Sequence, residues 1–145
     1  MTGSDKEKVV GILKATASHA FLGTCDGDTP VIRSVSPIVE DDLSIWVTTF
    51  ANANKVKQIR RNPKVCLLFV ELPRGEKRAA VYGKAEVVSD LATRKRVWSL
   101  ATFNLSEYFP GGVESTDFGV LRIVPEEIHW QESWSGEGKV YRPKG

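Results

Sequence analysis

Residues 65–72 read VCLLFVEL, an almost unbroken apolar run. Its β-branched and aromatic content predicts a strand, and its lack of polar alternation predicts burial on both faces, as in a barrel. The run is punctuated on each side. NPK (62–64) stops a basic helical segment before it, and PRGEK (73–77) turns the chain after it into a second strand, RAAVYGKAEVV (78–88). A chain with a hairpin of this kind at its centre builds a sheet that closes around an apolar interior.

The remaining segments fit such a sheet. Ser4 opens SDKE, a capping-box pattern with Glu7, and Val9, Ile12, Leu13 and Thr16 follow at helical spacing, which predicts a helix over 5–17. HAFLGTC is a strand and DGDTP a turn. In VIRSVSPIVE, Val31, Arg33, Val35 and Pro37 fall on one face and Ile32, Ser34, Ser36 and Ile38 on the other. Pro37 cannot donate to a ladder, so this strand is an edge or bulges there. LSIWVTT is the next strand. Residues 90–101 form a helix with Leu91, Val97, Trp98 and Ala101 inward. FGVLRIVP and EEIHWQE are the closing strands, and SWSGEGKVYRPKG is an irregular tail. The fold class is therefore α+β: a predominantly antiparallel barrel of about seven strands with three peripheral helices, in a single domain spanning residues 1–145.

Composition removes several function classes. With 41% hydrophobic and 26% charged residues over 145 positions, the chain has the makings of one core. A net charge of +2 gives no nucleic-acid signature, and no apolar stretch approaches the roughly 20 residues that span a bilayer. The start, MTGSDKEKVV, lacks the apolar centre of a signal peptide. Cys25 and Cys66 form no CxxC and read as small buried residues. With only two histidines, His19 and His129, no metal site is expected, and a cytoplasmic setting is. Both histidines read as structural, Trp46, Trp98 and Trp134 as core or interface aromatics, Glu126–Glu127 as a solvated pair, and Tyr108–Val113 as an ordinary turn.

The chemistry gathers in IWVTTFANANKVKQIRRNP (45–63), where a strand hands over to a helix. A helix N-terminus presents unpaired N–H groups and partial positive charge. Asn52 or Asn54 is the expected cap. Thr48, Thr49 and Asn54 add neutral donors, and Lys55 adds a charge in the first turn, where a cation opposes the helix dipole unless an anion sits there too. The plainer alternative makes Lys55, Lys57, Arg60 and Arg61 a solvated face with Val56 and Ile59 buried behind it. Arg33 tips the balance. It lies between Val31 and Val35 on an apolar face, where a charge needs a partner, and pairing of its strand with the next would bring it to the end of IWVTT.

The order Arg in the second strand, Thr-Thr closing the third, Asn-Lys opening a helix, then NP and an apolar strand resembles the pyridoxamine-phosphate-oxidase-like FMN-binding split barrels. The similarity runs from Ser18 to Trp130 and is greatest to the branch of the general stress protein 26 type. The resemblance implies FMN in a groove at the interface of a homodimer. Thr48, Thr49, Asn54 and Lys55 would hold the phosphate and ribityl chain. Arg33, Ser34, Val35 and Ser36 would line the flavin ring. Arg78 would approach the flavin, and Trp130 would contribute from the last strand, across the dimer.

The sequence also departs from that pattern. Ile38 stands where the vitamin B6 oxidases carry a substrate lysine, the chain ends KVYRPKG in place of their Arg/His motif, and Asn54 replaces an arginine. The first two departures argue against oxidation of vitamin B6 phosphates; the third leaves the phosphate one charge poorer. The resemblance implies an FMN-dependent oxidoreductase acting on a small redox substrate, with no catalytic side chain named. The alternatives are a flavin-binding protein without turnover, serving stress response or electron transfer, and a barrel that takes a deazaflavin or haem.

Overall fold

The computed structural model describes residues 2–143. In chain order the elements are α1 (Thr2–Thr16), β1 (Ala20–Asp26), β2 (Thr29–Val35), β3 (Ile38–Val39), β4 (Ile45–Phe50), α2 (Asn54–Arg61), β5 (Lys64–Val70), β6 (Arg78–Val88), α3 (Leu91–Leu100), a 3-10 turn (Leu105–Glu107), β7 (Phe118–Gln131) and β8 (Lys139–Tyr141). The strands form one eight-stranded sheet in the order β2-β1-β5-β6-β7-β4-β3, with β8 added on β7, and its paired strands run antiparallel.

Two short connections decide the shape. Gly27, at φ +59°, opens a two-residue turn that folds β2 back onto β1, pairing Asp26 with Thr29. At the other end of β2, only Ser36 and Pro37 separate it from β3, yet β2 and β3 are the two ends of the strand order. Val35 and Ile38 are three Cα steps apart, at most about 11 Å. The sheet must therefore curl until its edges nearly meet. Pro37, which has no N–H to offer, marks the split in the barrel. The expected α+β split barrel is what the chain forms.

Several local expectations change. Helix α1 begins ahead of the capping box, so Ser4 lies within it. The closing runs are one 14-residue strand, β7, and the tail supplies β8, which raises the strand count. Pro125 sits inside β7 at a bulge. Tyr82 pairs with Glu127 and Gly83 with Pro125, leaving Glu126 unpaired at the bulge. A Cβ at Gly83 would lie 2.0 Å from the Val124 carbonyl oxygen, so only glycine permits the approach. In α3, Asp90 caps the helix by accepting from Thr93 N at 2.9 Å, and Val97 is buried, but Leu91 faces solvent.

The central strand β5 alternates rather than being buried on both faces. Val65, Leu67 and Phe69 are buried, Leu68 and Val70 are half-buried, and Cys66 is exposed, contrary to the expectation for that cysteine. The inner face joins Val9 and Leu13 of α1 and Val56 and Ile59 of α2 in the main core. The outer face has no cover within one chain. Across it, Ile32, Gly23, Cys66 and Tyr82 stand in one row of the register. Gly23 leaves room for the Cys66 sulfur, which a Cβ would meet at 2.7 Å. A second cluster, of Trp46, Val97, Leu105, Phe109, Phe118 and Val120, packs under α3 and the segment that follows it.

Candidate functional site

Strand β4 ends in the residues that matter most. Thr48 pairs with Val120 and the buried Thr49 with Gly119, after which Ala53 N bonds Phe50 O at 3.0 Å and α2 begins. The cap position belongs to Ala53, not to Asn52 or Asn54. Its carbonyl accepts from Val56 N and Lys57 N, and no side chain caps the helix. Asn54 is instead the exposed first helical residue. The chain thus opens α2 with its N-terminal donors uncovered, at a cost of about 0.5–2 kcal/mol relative to a capped start.

Lys55, one residue further, folds back over β4, and its Nζ donates to Thr49 Oγ1 at 3.0 Å. Its side chain is half-buried. Desolvation, and secondarily the positive charge of Arg33, hold its pKa below the ordinary value of 10.5. Arg33 reaches this place by a different route from the one its sequence suggests. Its strand pairs with β1, not with β4, because the Gly27 turn folds β2 back on β1 and Pro37 sends the chain across the split. The guanidinium donates to Leu22 O at 3.1 Å, Thr24 Oγ1 at 2.8 Å and Gln58 Oε1 at 3.0 Å, and burial lowers its pKa. Gln58 and Lys55 lie three residues apart on α2, one turn of a common helix face, so the helix gathers both cations at one spot. Among the described residues, neither Arg33 nor Lys55 forms an ion pair.

A cavity of about 840 Å³ opens beside this pair, along the split of the barrel. One wall carries Ser34, Val35, Ser36, Thr48, Thr49 and Lys55, all of them residues singled out from the sequence. Ile38 lines the cavity as well. A second part of the lining has no counterpart among the sequence expectations. It comes from the end of α1, through Ala17 and Ser18, and from residues 100–109, including Phe103, Leu105, Tyr108 and Phe109. Tyr108–Val113 is therefore more than an ordinary turn: the length and aromatic content of the 104–117 connection were the available signals.

Arg33 and Asn54 do not line the cavity, and two further singled-out residues lie elsewhere in the chain. Arg78, at the start of β6, holds its guanidinium 5.0 Å from the Trp134 ring centre. Trp130 is buried on the inner side of β7 opposite Ala79, with Lys139 Nζ 4.8 Å from its ring centre and no partner for its Nε1 among the described residues. Within one chain neither lines the cavity. Of the histidines, His129 bonds Glu127 on the outer face and His19 lies 3.1 Å from the Ser18 hydroxyl. Among the described residues no helix is long and apolar enough to cross a membrane.

Comparison with known proteins fits this architecture. A candidate pyridoxamine 5′-phosphate oxidase from Listeria innocua is 28% identical, with a TM-score of 0.72 over 85% of this chain and 94% of that one. A protein related to general stress protein 26 from Clostridium acetobutylicum shares the fold at 17% identity, with a TM-score of 0.78 over 98% of this chain and 96% of its own. A haem-binding protein from Mycobacterium smegmatis does so at 15% identity and a TM-score of 0.73, over 94% of this chain and 57% of its own. No curated protein matches the chain. The sequence profile of pyridoxamine 5′-phosphate oxidase matches residues 6–131, and with most of its length so matched the chain belongs to the pyridoxamine 5′-phosphate oxidase family.

Proposed function

We propose that the chain is an FMN-binding flavoprotein, working as an oxidoreductase on a small molecule other than a vitamin B6 phosphate. One observation carries this reading: two half-buried cations, Arg33 and Lys55, sit together without a carboxylate partner beside an uncapped helix N-terminus. Holding like charges near one another with part of their water removed is unfavourable, and a phosphate dianion at Lys55 relieves that repulsion. Thr48 and Thr49 supply further neutral donors to the same anion. Ser34, Val35 and Ser36, on the adjoining wall, suit the polar edge and the face of the flavin ring. Bound FMN supplies two-electron redox chemistry; the chain's own residues orient it and hold its charge.

The flavin reading is favoured over haem because, of the side-chain types that ligate haem iron, the described lining of the cavity offers only Tyr108, exposed on the rim, and no His, Cys or Met. Ile38 in the wall leaves no cation for a substrate phosphate, since the other lining lysine, Lys14, is engaged by Asp41. The reading includes a homodimer, in which Arg78 of one copy approaches the flavin site of the other and Trp130, buried in its own core, supports that edge.

Titration of the flavin-free protein with FMN and with riboflavin tests the proposal. FMN is expected to bind roughly ten- to a hundredfold more tightly, the worth of about 1.5–3 kcal/mol for a charge-assisted bond. Equal affinities would overturn the phosphate site. Steady-state oxidation of a reduced nicotinamide by the FMN-loaded protein separates an oxidoreductase from a flavin carrier without turnover.

A further inference from the structure

The groove contains three charged side chains: Lys14, Glu40 and Lys55. Two of them are already neutralised from outside it. Lys14 pairs with Asp41, and Glu40 takes Arg96 on one carboxylate oxygen and Trp46 Nε1, at 2.8 Å, on the other. Lys55 alone lacks a countercharge. Once an anion occupies Lys55, the rest of the groove offers an occupant no unpaired charge.

The wall facing that neutral space is apolar and built in place. Phe109 is buried, and its ring centre lies 4.9 Å from that of Phe50 and 5.0 Å from that of Phe118. Trp98 meets Phe118 edge-on at 5.0 Å behind it. The segment is pinned at its base by Arg94, which donates to Ser115 O at 2.9 Å and Phe118 O at 2.8 Å. Its 3-10 turn is capped by Asn104, which accepts from Ser106 N at 3.2 Å. Leu105 is buried in the same cluster, while Tyr108 stands 57% exposed on the rim. A fixed aromatic wall with a few neutral hydroxyls around it is the usual lining for an uncharged ring.

We infer that the wall of residues 103–109 is the substrate side of the groove and that it accepts an uncharged aromatic molecule, excluding anions of the same shape. This rests on the flavin reading for the identity of the group at Lys55, but the wall itself does not depend on it. A carboxylate placed against Phe103, Tyr108 and Phe109 would lose water without gaining a countercharge, the nearby hydroxyls being neutral donors only.

Calorimetric titration with 2-naphthol and 2-naphthoate, the same ring with and without charge, tests the inference on the oxidised, FMN-loaded protein. 2-Naphthol is expected to bind about tenfold or more tightly than 2-naphthoate. In the flavin-free protein Lys55 becomes available and the gap should close. Tyr108→Glu, an exposed rim substitution, should weaken 2-naphthol about tenfold, while Tyr108→Phe keeps it. Equal binding of the two probes to the FMN-loaded protein, or 2-naphthol binding indifferent to Tyr108→Glu, overturns the inference. If the chain holds no FMN, the cofactor reading falls by itself, and the Tyr108 pair measured on the flavin-free protein still decides whether the wall binds neutral rings.

Discussion

Lys55 Nζ reaches back six residues across the strand-to-helix junction to donate to Thr49 Oγ1 at 3.0 Å. The bond fixes the ammonium at the end of β4, under the uncapped start of α2, rather than letting it extend into solvent. The half-buried ammonium is desolvated and has no carboxylate partner among the described residues, so it can be removed with small structural cost. Lys55→Ala is expected to weaken FMN roughly ten- to a hundredfold while leaving the unfolding midpoint nearly unchanged. Lys57, exposed on the same helix, serves as the control, and Lys57→Ala should bind as the unsubstituted chain does. Equal losses in both variants would make the helix a diffuse basic face instead of a site.

The same lysine predicts a pH dependence. Burial and Arg33 depress its pKa below the ordinary 10.5, so the folded chain disfavours the charged form relative to the unfolded chain. The unfolded state then binds more protons across the window between the depressed value and 10.5, and stability of the ligand-free protein should rise with pH through that window. FMN affinity should run the other way, falling as Lys55 loses its proton, because the phosphate is held by the charged form. Thermal unfolding and FMN titration over the alkaline range check both signs. A flavin affinity that holds constant there would place the phosphate away from Lys55.

Pyridoxamine phosphate and pyridoxine phosphate are expected to be poor substrates. Ile38 lies in the cavity wall, an apolar side chain where the family resemblance implies a substrate lysine, and Lys14 is already paired with Asp41. Steady-state oxidation of either compound by the FMN-loaded protein is the measurement. Turnover in the ordinary enzymatic range, about 1–10³ per second, would restore the B6 oxidase reading.

Two glycines give opposite expectations for the fold. Gly83 stands at the bulge where an added Cβ would meet the Val124 carbonyl oxygen at 2.0 Å, and neither backbone segment can yield cheaply. Gly83→Ala should cost about 1–3 kcal/mol or more by urea unfolding. Gly11, within α1, has nothing near its Cβ position. Gly11→Ala should therefore stabilise by roughly 0.5–1 kcal/mol. A neutral Gly83→Ala would mean that the β6–β7 bulge is not where the register places it.

The strand-to-helix junction was readable because its signal is local. Hydroxyls, amides and a lysine crowd into 45–55, and the physics of a helix start needs no distant information. Arg33 was recognised as a charge in need of a partner, but the partners Thr24 and Gln58 follow from strand pairing, which a two-residue turn and the crossing at Pro37 decide. The wall at 103–109 was legible only as a long connection. Its place in one cavity with Thr48 and Lys55 depends on α3 packing through Val97 and on Arg94 holding the segment's base. The outer side of β5 misled in a different way. Cys66, Leu68 and Val70 read as buried because they are apolar, and a single chain leaves that side uncovered.

That uncovered side motivates the last prediction: a homodimer formed through the outer face of β2, β1, β5 and β6. Ile32 is 68% exposed and Tyr82 45%, and they stand in one register row with the exposed Cys66 between them. The half-buried Phe21 and Leu68 fill the next row, between Ser34 and Ala80. Apolar side chains contiguous across neighbouring strands mark an interaction surface, and a second copy related by a two-fold axis is the commonest cover. Sedimentation of the FMN-loaded protein at micromolar concentration should show the dimer. Ile32→Asp, a surface change with little effect on a single chain, should shift it toward monomer and lower FMN affinity in step. A monomer that still holds stoichiometric FMN would show that the site is complete in one chain. Trp130 adds an independent reading, because its buried Nε1 has no partner among the described residues. Trp130→Phe removes only the donor and part of the ring, avoiding the loss of about 3–5 kcal/mol that Trp130→Ala would bring. If Trp130 serves the flavin of the other copy, Trp130→Phe weakens FMN without lowering the unfolding midpoint by a matching amount. A variant that binds FMN as the unsubstituted chain does would leave Trp130 as core packing alone.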